Sequence, residues 1–289
     1  MVVTKRNHHT VPQFYLKAFG DAQKRIWATD LATNSGKLIP IKKATAIDSF
    51  YLIETKTGEE HQGWEDLFGL LETGASRSIR RVLNGEWPLR RDPRERLANW
   101  IAAQYLRTPK MRAYLDKTLD EWRLVVDKGG ASAMKAAMQQ PDIGDAEAVA
   151  LWTRADNVIP RFQPQTNGGY LNAFSSLLKD TAREVYERRW QLVTWSRPCL
   201  ITADEMVVPI ASAGPPWHPL IGAADIVAVP LSRTALLMLC ETDPTGAKPD
   251  DTATGDDHQA AMLNRMATSN AYNTVFRHPD DSPRIALSG

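Results

Sequence analysis

The sequence predicts an α+β fold: a small N-terminal β-hairpin, a central helical layer and a C-terminal, mainly antiparallel sheet. Three observations carry that expectation. Two apolar segments flank the turn-rich spacer ATNSG near the start, helical periodicity dominates residues 61–188, and beyond Arg189 the chain breaks into short apolar runs separated by proline and glycine. The links between those last runs are too short for the crossovers of a parallel sheet. We read 1–60 as an N-terminal motif and hairpin, 61–188 as the helical layer and 189–289 as the β-rich part, all in one compact domain.

The first element lies in NHHTVPQFYLKAF, residues 7–19. Pro12 has the fixed φ that suits a first helical turn, so a short helix should present Phe14, Tyr15, Leu16 and Phe19 and stop at Gly20. That entry angle turns His9 toward the body of the protein and leaves His8, on the other side of an extended segment, more exposed. RIWATDL and KLIPIKKA form the hairpin, and Pro40 suits an edge strand.

Helical spacing then runs from His61 to Leu83 and from Arg94 to Val126, with a break at Pro109. Residues 144–156 and 168–188 are further helix candidates. WQLVTW, CLITA, MVVPI, DIVAVPL and TALLMLC read as strands, followed by a helix over about 257–271 and a closing strand NTVFRH.

Composition narrows the class. The chain has 289 residues, 43% hydrophobic and 24% charged, with a formal net charge of +1. These are ordinary globular values with no global pull toward nucleic acid or membrane. No run approaches a membrane span and MVVTKRNHHT lacks the apolar core of a signal peptide, so a cytoplasmic location is expected. Cys199 and Cys240 sit in apolar surroundings, as small buried thiols do, and form no C-x-x-C motif.

The candidate chemistry begins on the helix after His61. Glu65 and Glu72 are seven residues apart, which places them within about 20° of each other around the helix. They border the apolar stripe of Trp64, Phe68, Leu71, Ala75 and Val82. Exposed, they are solubilising charges; partly buried, they need an arginine or a divalent metal. On the next helix Leu97, Trp100, Ile101, Gln104 and Thr108 share a stripe, which drives Gln104 inward. Arg107 beside it is either the partner of Glu65 or Glu72, or a clamp for phosphate or carboxylate. Asp204, at the end of a short strand, either caps its own turn or ligates a metal.

Charge is unevenly spread. Arg77, Arg80, Arg81, Arg90, Arg91, Arg94, Arg96, Arg107, Lys110 and Arg112 are opposed locally only by Glu86, Asp92 and Glu95. A solvated helical face explains such a run, and so does a phosphate-binding surface in which Arg77, Arg81 and Arg112 attract substrate.

Taken together, these segments resemble a large group of bacterial proteins that share a domain of unknown function marked by an N-terminal H-x-x-P-Q-x-Y-L signature. His9, Pro12, Gln13, Tyr15 and Leu16 match the opening; Glu65 and Glu72 match an acidic helix. Gln104, Arg107, Thr108, Pro109 and Arg112 match a central motif, and Thr202 and Asp204 match a strand end. There the chain departs from the T-S-D-x-P pattern, with Ala203 and Met206 in place of serine and proline. The resemblance implies a shared fold and a shared polar site; it confers no activity.

Two functions are expected of that site. In the first, Glu65, Glu72 and Asp204 hold Mg²⁺ or Mn²⁺ while His9, Gln13, Gln104 and Arg107 serve the chemistry of a phosphodiester hydrolase, a nuclease of bacterial conflict or phage defence acting on nucleic acid or a nucleotide. In the second, the same residues form a buried structural network in a non-catalytic sensor or interaction module. No G-x-x-x-x-G-K-[ST], G-x-S-x-G or H-E-x-x-H motif occurs, which sets aside P-loop enzymes, α/β-hydrolases and zincins.

Overall fold

In the computed structural model, residues 7–54, 60–61, 63–117, 135, 144–146, 149, 167–211, 221–241 and 249–281 are described. The chain forms two compact units, Met1–Thr108 with Leu178–Gly289, and Pro109–Leu177. The fold is α+β, as expected.

The larger unit opens with strand β1 (Asn7–His9) and helix α1 (Gln13–Leu16), which a 3₁₀ turn (Lys17–Phe19) extends. Pro12 is the residue before the first helical turn, at φ −64° and ψ 141°. Gly20 closes the segment by permitting contact: a Cβ there would lie 2.6 Å from Ile41 Cδ1 and 2.8 Å from the Arg25 carbonyl oxygen. The hairpin follows as β2 (Arg25–Asp30) and β3 (Ser35–Pro40), then a helical turn α2 (Ile41–Ala44) and β4 (Ala46–Asp48), which pairs with β1. Two further short strands, β5 (Ile53–Glu54) and β6 (Glu60–His61), pair with each other.

The helical layer is an antiparallel pair, α3 (Gly63–Leu83) and α4 (Arg91–Leu106), joined by a turn in which Gly85 adopts φ +89°. Helix α4 stops where expected, at Arg107 and Thr108 before Pro109, and residues 109–117 are helical again. The expected run to Val126 ends outside the described residues, as does most of the candidate helix over 144–156. Helix α5 (Asn167–Glu187) matches the expectation.

The C-terminal strands are β7 (Arg189–Thr194), β8 (Thr202–Ala203), β9 (Val208–Ile210), β10 (Ile226–Ser232), β11 (Ala235–Cys240), β12 (Asp251–Thr254) and β13 (Thr274–Arg277), with α6 (Asp257–Asn270) before the last. One sheet has the order β12-β7-β11-β10-β9 and is antiparallel except where β12 runs parallel to β7. Strand β12 lies in the acidic stretch, where no local pattern marks a strand: DTAT has no large apolar residue. Its partners hold it there, for Gln191 Nε2 donates to Asp251 Oδ2 at 3.1 Å. The second sheet, β3-β2-β13-β8, joins the N-terminal hairpin to the end of the chain, with Val275 opposite Thr29 on one side and Ala203 on the other.

Helix α6 begins with a full capping box in which Asp256 accepts from the Gln259 N–H and Gln259 reaches back to the Asp256 N–H. Its apolar face, Ala260, Leu263 and Ala267, buries against Leu200, Val208 and Leu236. Two arginines pin the β-rich part. Arg188 is buried and donates to the carbonyls of Ile221 and Ala224 (both 2.6 Å) and to those of Asp225 and Leu239 (both 3.4 Å). Burial lowers its pKa, and nearby acids oppose that shift. Arg94 lies over the Trp190 ring at 4.4 Å and pairs with Asp250.

Candidate functional site

The polar residues expected to converge do so only in part. Helix α4 turns Trp100, Gln104 and Arg107 onto one side, at spacings of four and three residues, and all three are buried. Arg107 is 1% exposed and donates from Nη2 to Glu72 Oε1 at 2.9 Å and to Gln104 Oε1 at 3.2 Å. Its guanidinium covers the Phe68 ring at 4.6 Å. Three donors on this stripe, Trp100 Nε1, Gln104 Nε2 and Arg107 Nε, are buried with no hydrogen-bond acceptor among the described residues.

Tyr51 ties the N-terminal segment to this cluster. Its hydroxyl donates to the Arg107 carbonyl at 2.8 Å, its N–H donates to His8 Nδ1 at 2.8 Å, and its ring stacks on His8 and packs on Phe68. Burial pushes the Tyr51 hydroxyl above the ordinary tyrosine range; Arg107 opposes the shift, while Glu65, Glu72 and Glu205 reinforce it. Three carboxylates and one guanidinium thus act on a single buried hydroxyl. Glu205 is itself buried and was missed in the sequence, where it follows Asp204 with no periodicity to mark it.

His8 and His9 correct an expectation. His8, not His9, is the more buried, at 2% exposure, because β1 pairs with β4 and turns His8 onto Tyr51. His9 is half-buried, and Gln13 Nε2 donates to its Nε2 at 2.9 Å, an i,i+4 contact across the start of α1. Two residues on, the Tyr15 hydroxyl meets the Thr202 hydroxyl at 2.8 Å, which joins two of the sequence motifs inside the core.

Asp204 takes the turn-capping role. It accepts from the N–H groups of Tyr272 (2.9 Å), Asn273 (2.7 Å) and Thr274 (2.9 Å), and so fixes the entry to β13. Burial raises its pKa while these amides pull it down. Asn264 accepts from the Ile201 N–H and donates to the Cys199 carbonyl, and Asn270 donates to the carbonyls of Glu205 and Val207. Among the described residues no group of three or more His, Cys, Asp or Glu side chains is placed to hold a metal ion.

Two concavities flank α3. One of about 580 Å³ is lined by Glu65, Phe68, Leu70, Glu72 and neighbouring residues. The other, about 440 Å³, contains Arg77 and Arg81 with arginines of α4. Arg112 is in neither lining; it belongs to the smaller unit, donates to Asn167 Oδ1 at 2.8 Å and covers the Tyr170 ring.

Among the described residues no helix is long and apolar enough to cross a membrane. No curated protein and no solved structure matches the chain. The sequence profile of one family does match, over residues 7–281, nearly the whole length. The chain therefore belongs to the family described as "Protein of unknown function (DUF4238)".

Proposed function

We propose that the protein is a metal-assisted phosphodiester hydrolase of nuclease type, acting on nucleic acid or a nucleotide, with bacterial conflict or phage defence as its setting. The observation that carries this reading is the position of Glu72. Its carboxylate is 28% exposed on a concavity that Glu65 also lines, while buried Arg107 anchors it from behind.

Glu65 and Glu72 would hold Mg²⁺ or Mn²⁺, an ion that needs few protein ligands because water and phosphate oxygens complete its shell. When bound, such an ion lowers the pKa of water and offsets negative charge on the phosphoryl oxygens. Arg107, too buried to reach a phosphate, positions Glu72, and Gln104 orients Arg107. Donation from Gln13 to His9 Nε2 puts the imidazole proton on Nδ1 and leaves the basic lone pair on Nε2, where a proton could be accepted once Gln13 swings aside. Asp204, held by three amides, shapes the turn that carries Glu205.

A second reading is a non-catalytic interaction module, favoured by the way Arg107 and Asp204 are consumed by internal partners. Thermal melts with Mn²⁺ and hydrolysis of a labelled oligonucleotide separate the two. The hydrolase reading expects Mn²⁺ to raise the melting temperature, and Glu65→Gln and Glu72→Gln each to remove that shift and the hydrolysis. Absence of both effects in the unmodified protein would leave the module reading standing.

A further inference from the structure

The second concavity has no part in the chemistry above. It lies where the C-terminal half of α3 meets the first turn of α4, and its lining includes Arg77, Arg81, Arg90, Arg91 and Arg96, with Asp92 the one acid among the described lining residues. Only Arg81 has an ion-pair partner among the described residues, Glu86 at 3.2 Å. The other four guanidiniums have no ion-pair partner among the described residues, and with Asp92 as the one nearby acid the lining keeps a positive excess that an anion would offset.

Two features place the arginines. The stem of Arg96 runs past Gly74, where an added Cβ would make ordinary van der Waals contact at 3.5 Å with its Cβ and Cδ. Arg90 and Arg91 are anchored by the start of α4, a helix of 16 residues whose Arg90 cap position makes no side-chain cap hydrogen bond. The unsatisfied N–H groups of that turn and the helix dipole add to the positive potential.

We propose that this concavity binds the phosphoryl groups of a compact polyphosphate anion, such as pyrophosphate or the diphosphate of a nucleotide. Its volume is in the range of small-ligand sites and much smaller than a groove that tracks a long strand. Guanidinium forks suit bidentate contact with phosphate oxygens. No aromatic residue is among the described lining, so the site reads phosphates and ignores the base.

Calorimetric titration of the full chain with inorganic pyrophosphate tests this. Pyrophosphate should bind, more weakly as salt rises, and ADP and CDP should bind within about threefold of each other. Arg91→Gln and Arg96→Gln should each weaken binding at least about tenfold with unchanged melting temperature, since both side chains are exposed. Glu72→Gln should leave pyrophosphate binding intact, which separates this site from the proposed hydrolytic one. No binding of pyrophosphate, equal binding by the arginine variants, a preference for one base, or binding of oligonucleotide alone would each overturn the proposal.

Discussion

Arg107 and Glu72 meet at 2.9 Å, yet the two ends of the pair live in different surroundings: the guanidinium side chain is 1% exposed and the carboxylate side chain 28%. The consequence is asymmetric. Removing Glu72 strands a cation that water cannot reach, whereas removing Arg107 leaves a carboxylate that can rehydrate at the surface of its concavity. Glu72→Leu should therefore cost roughly 3–5 kcal/mol, Arg107→Met roughly 1–3 kcal/mol, and the double variant less than Glu72→Leu alone. Urea unfolding of the three proteins checks the order; a larger loss for Arg107→Met than for Glu72→Leu would contradict it.

The two histidines should respond in opposite ways to alanine. His8 accepts the Tyr51 N–H and stacks on its ring at 5.4 Å between centroids, so His8→Ala orphans a buried donor and opens a gap. A loss of roughly 1–3 kcal/mol is expected. His9 is half-buried and accepts from Gln13, a side chain that water can serve instead, so His9→Ala should cost less than His8→Ala, about 1 kcal/mol. On the proposed chemistry it should also abolish hydrolysis. Thermal melts of the single variants beside the oligonucleotide assay distinguish these effects.

That reversal shows where the sequence was legible. Helical spacing identified α3, α4 and the inward Gln104, because the period of 3.6 leaves one solution for which residues face a core. It also brought Arg107 to the acidic helix. Exposure of His8 was misjudged because β1 is only three residues long and its facing depends on β4, some forty residues away, which no local pattern encodes. Strand β12 was missed for the same reason, as its pairing with β7 rests on backbone and Gln191 rather than on apolar alternation. Glu205 escaped because a lone acid between polar and apolar neighbours looks like surface until the fold closes over it.

Asp204 illustrates how a strand-end carboxylate can serve the fold. Three backbone amides converge on its carboxylate at 2.7–2.9 Å and connect the turn after β8 to the start of β13. Asp204→Ala should cost roughly 2–4 kcal/mol by leaving those donors to weaker partners. Asp204→Asn, which keeps one acceptor oxygen, should cost about half as much. If both variants melted like the parent while only metal response was lost, the capping role would be secondary to ligation.

Cys199 supplies a pH dependence with a definite sign. Burial is the main reason its pKa is pushed from 9.0 to about 11, with Asp257 adding to the shift and Arg197 opposing it. The folded protein thus holds the thiol proton more tightly than the unfolded chain does. Below the unfolded value of 9.0 that preference is fully present, and it is lost as pH rises through the folded value near 11. A two-unit shift corresponds to roughly 1–3 kcal/mol, so stability should fall by about that much between pH 9 and pH 11 from this group alone. Cys199→Ala should flatten that part of the curve, leaving the slope contributed by buried Tyr15 and Tyr51, whose hydroxyls are also shifted upward. The same proton preference makes the native thiol slow to react: at pH 8 a thiol-specific alkylating reagent should modify Cys199 at least about tenfold more slowly in the native protein than in urea. An unfolding series across that pH range, run on both proteins, decides the matter, and identical alkaline slopes would show that Cys199 does not titrate as its buried position requires.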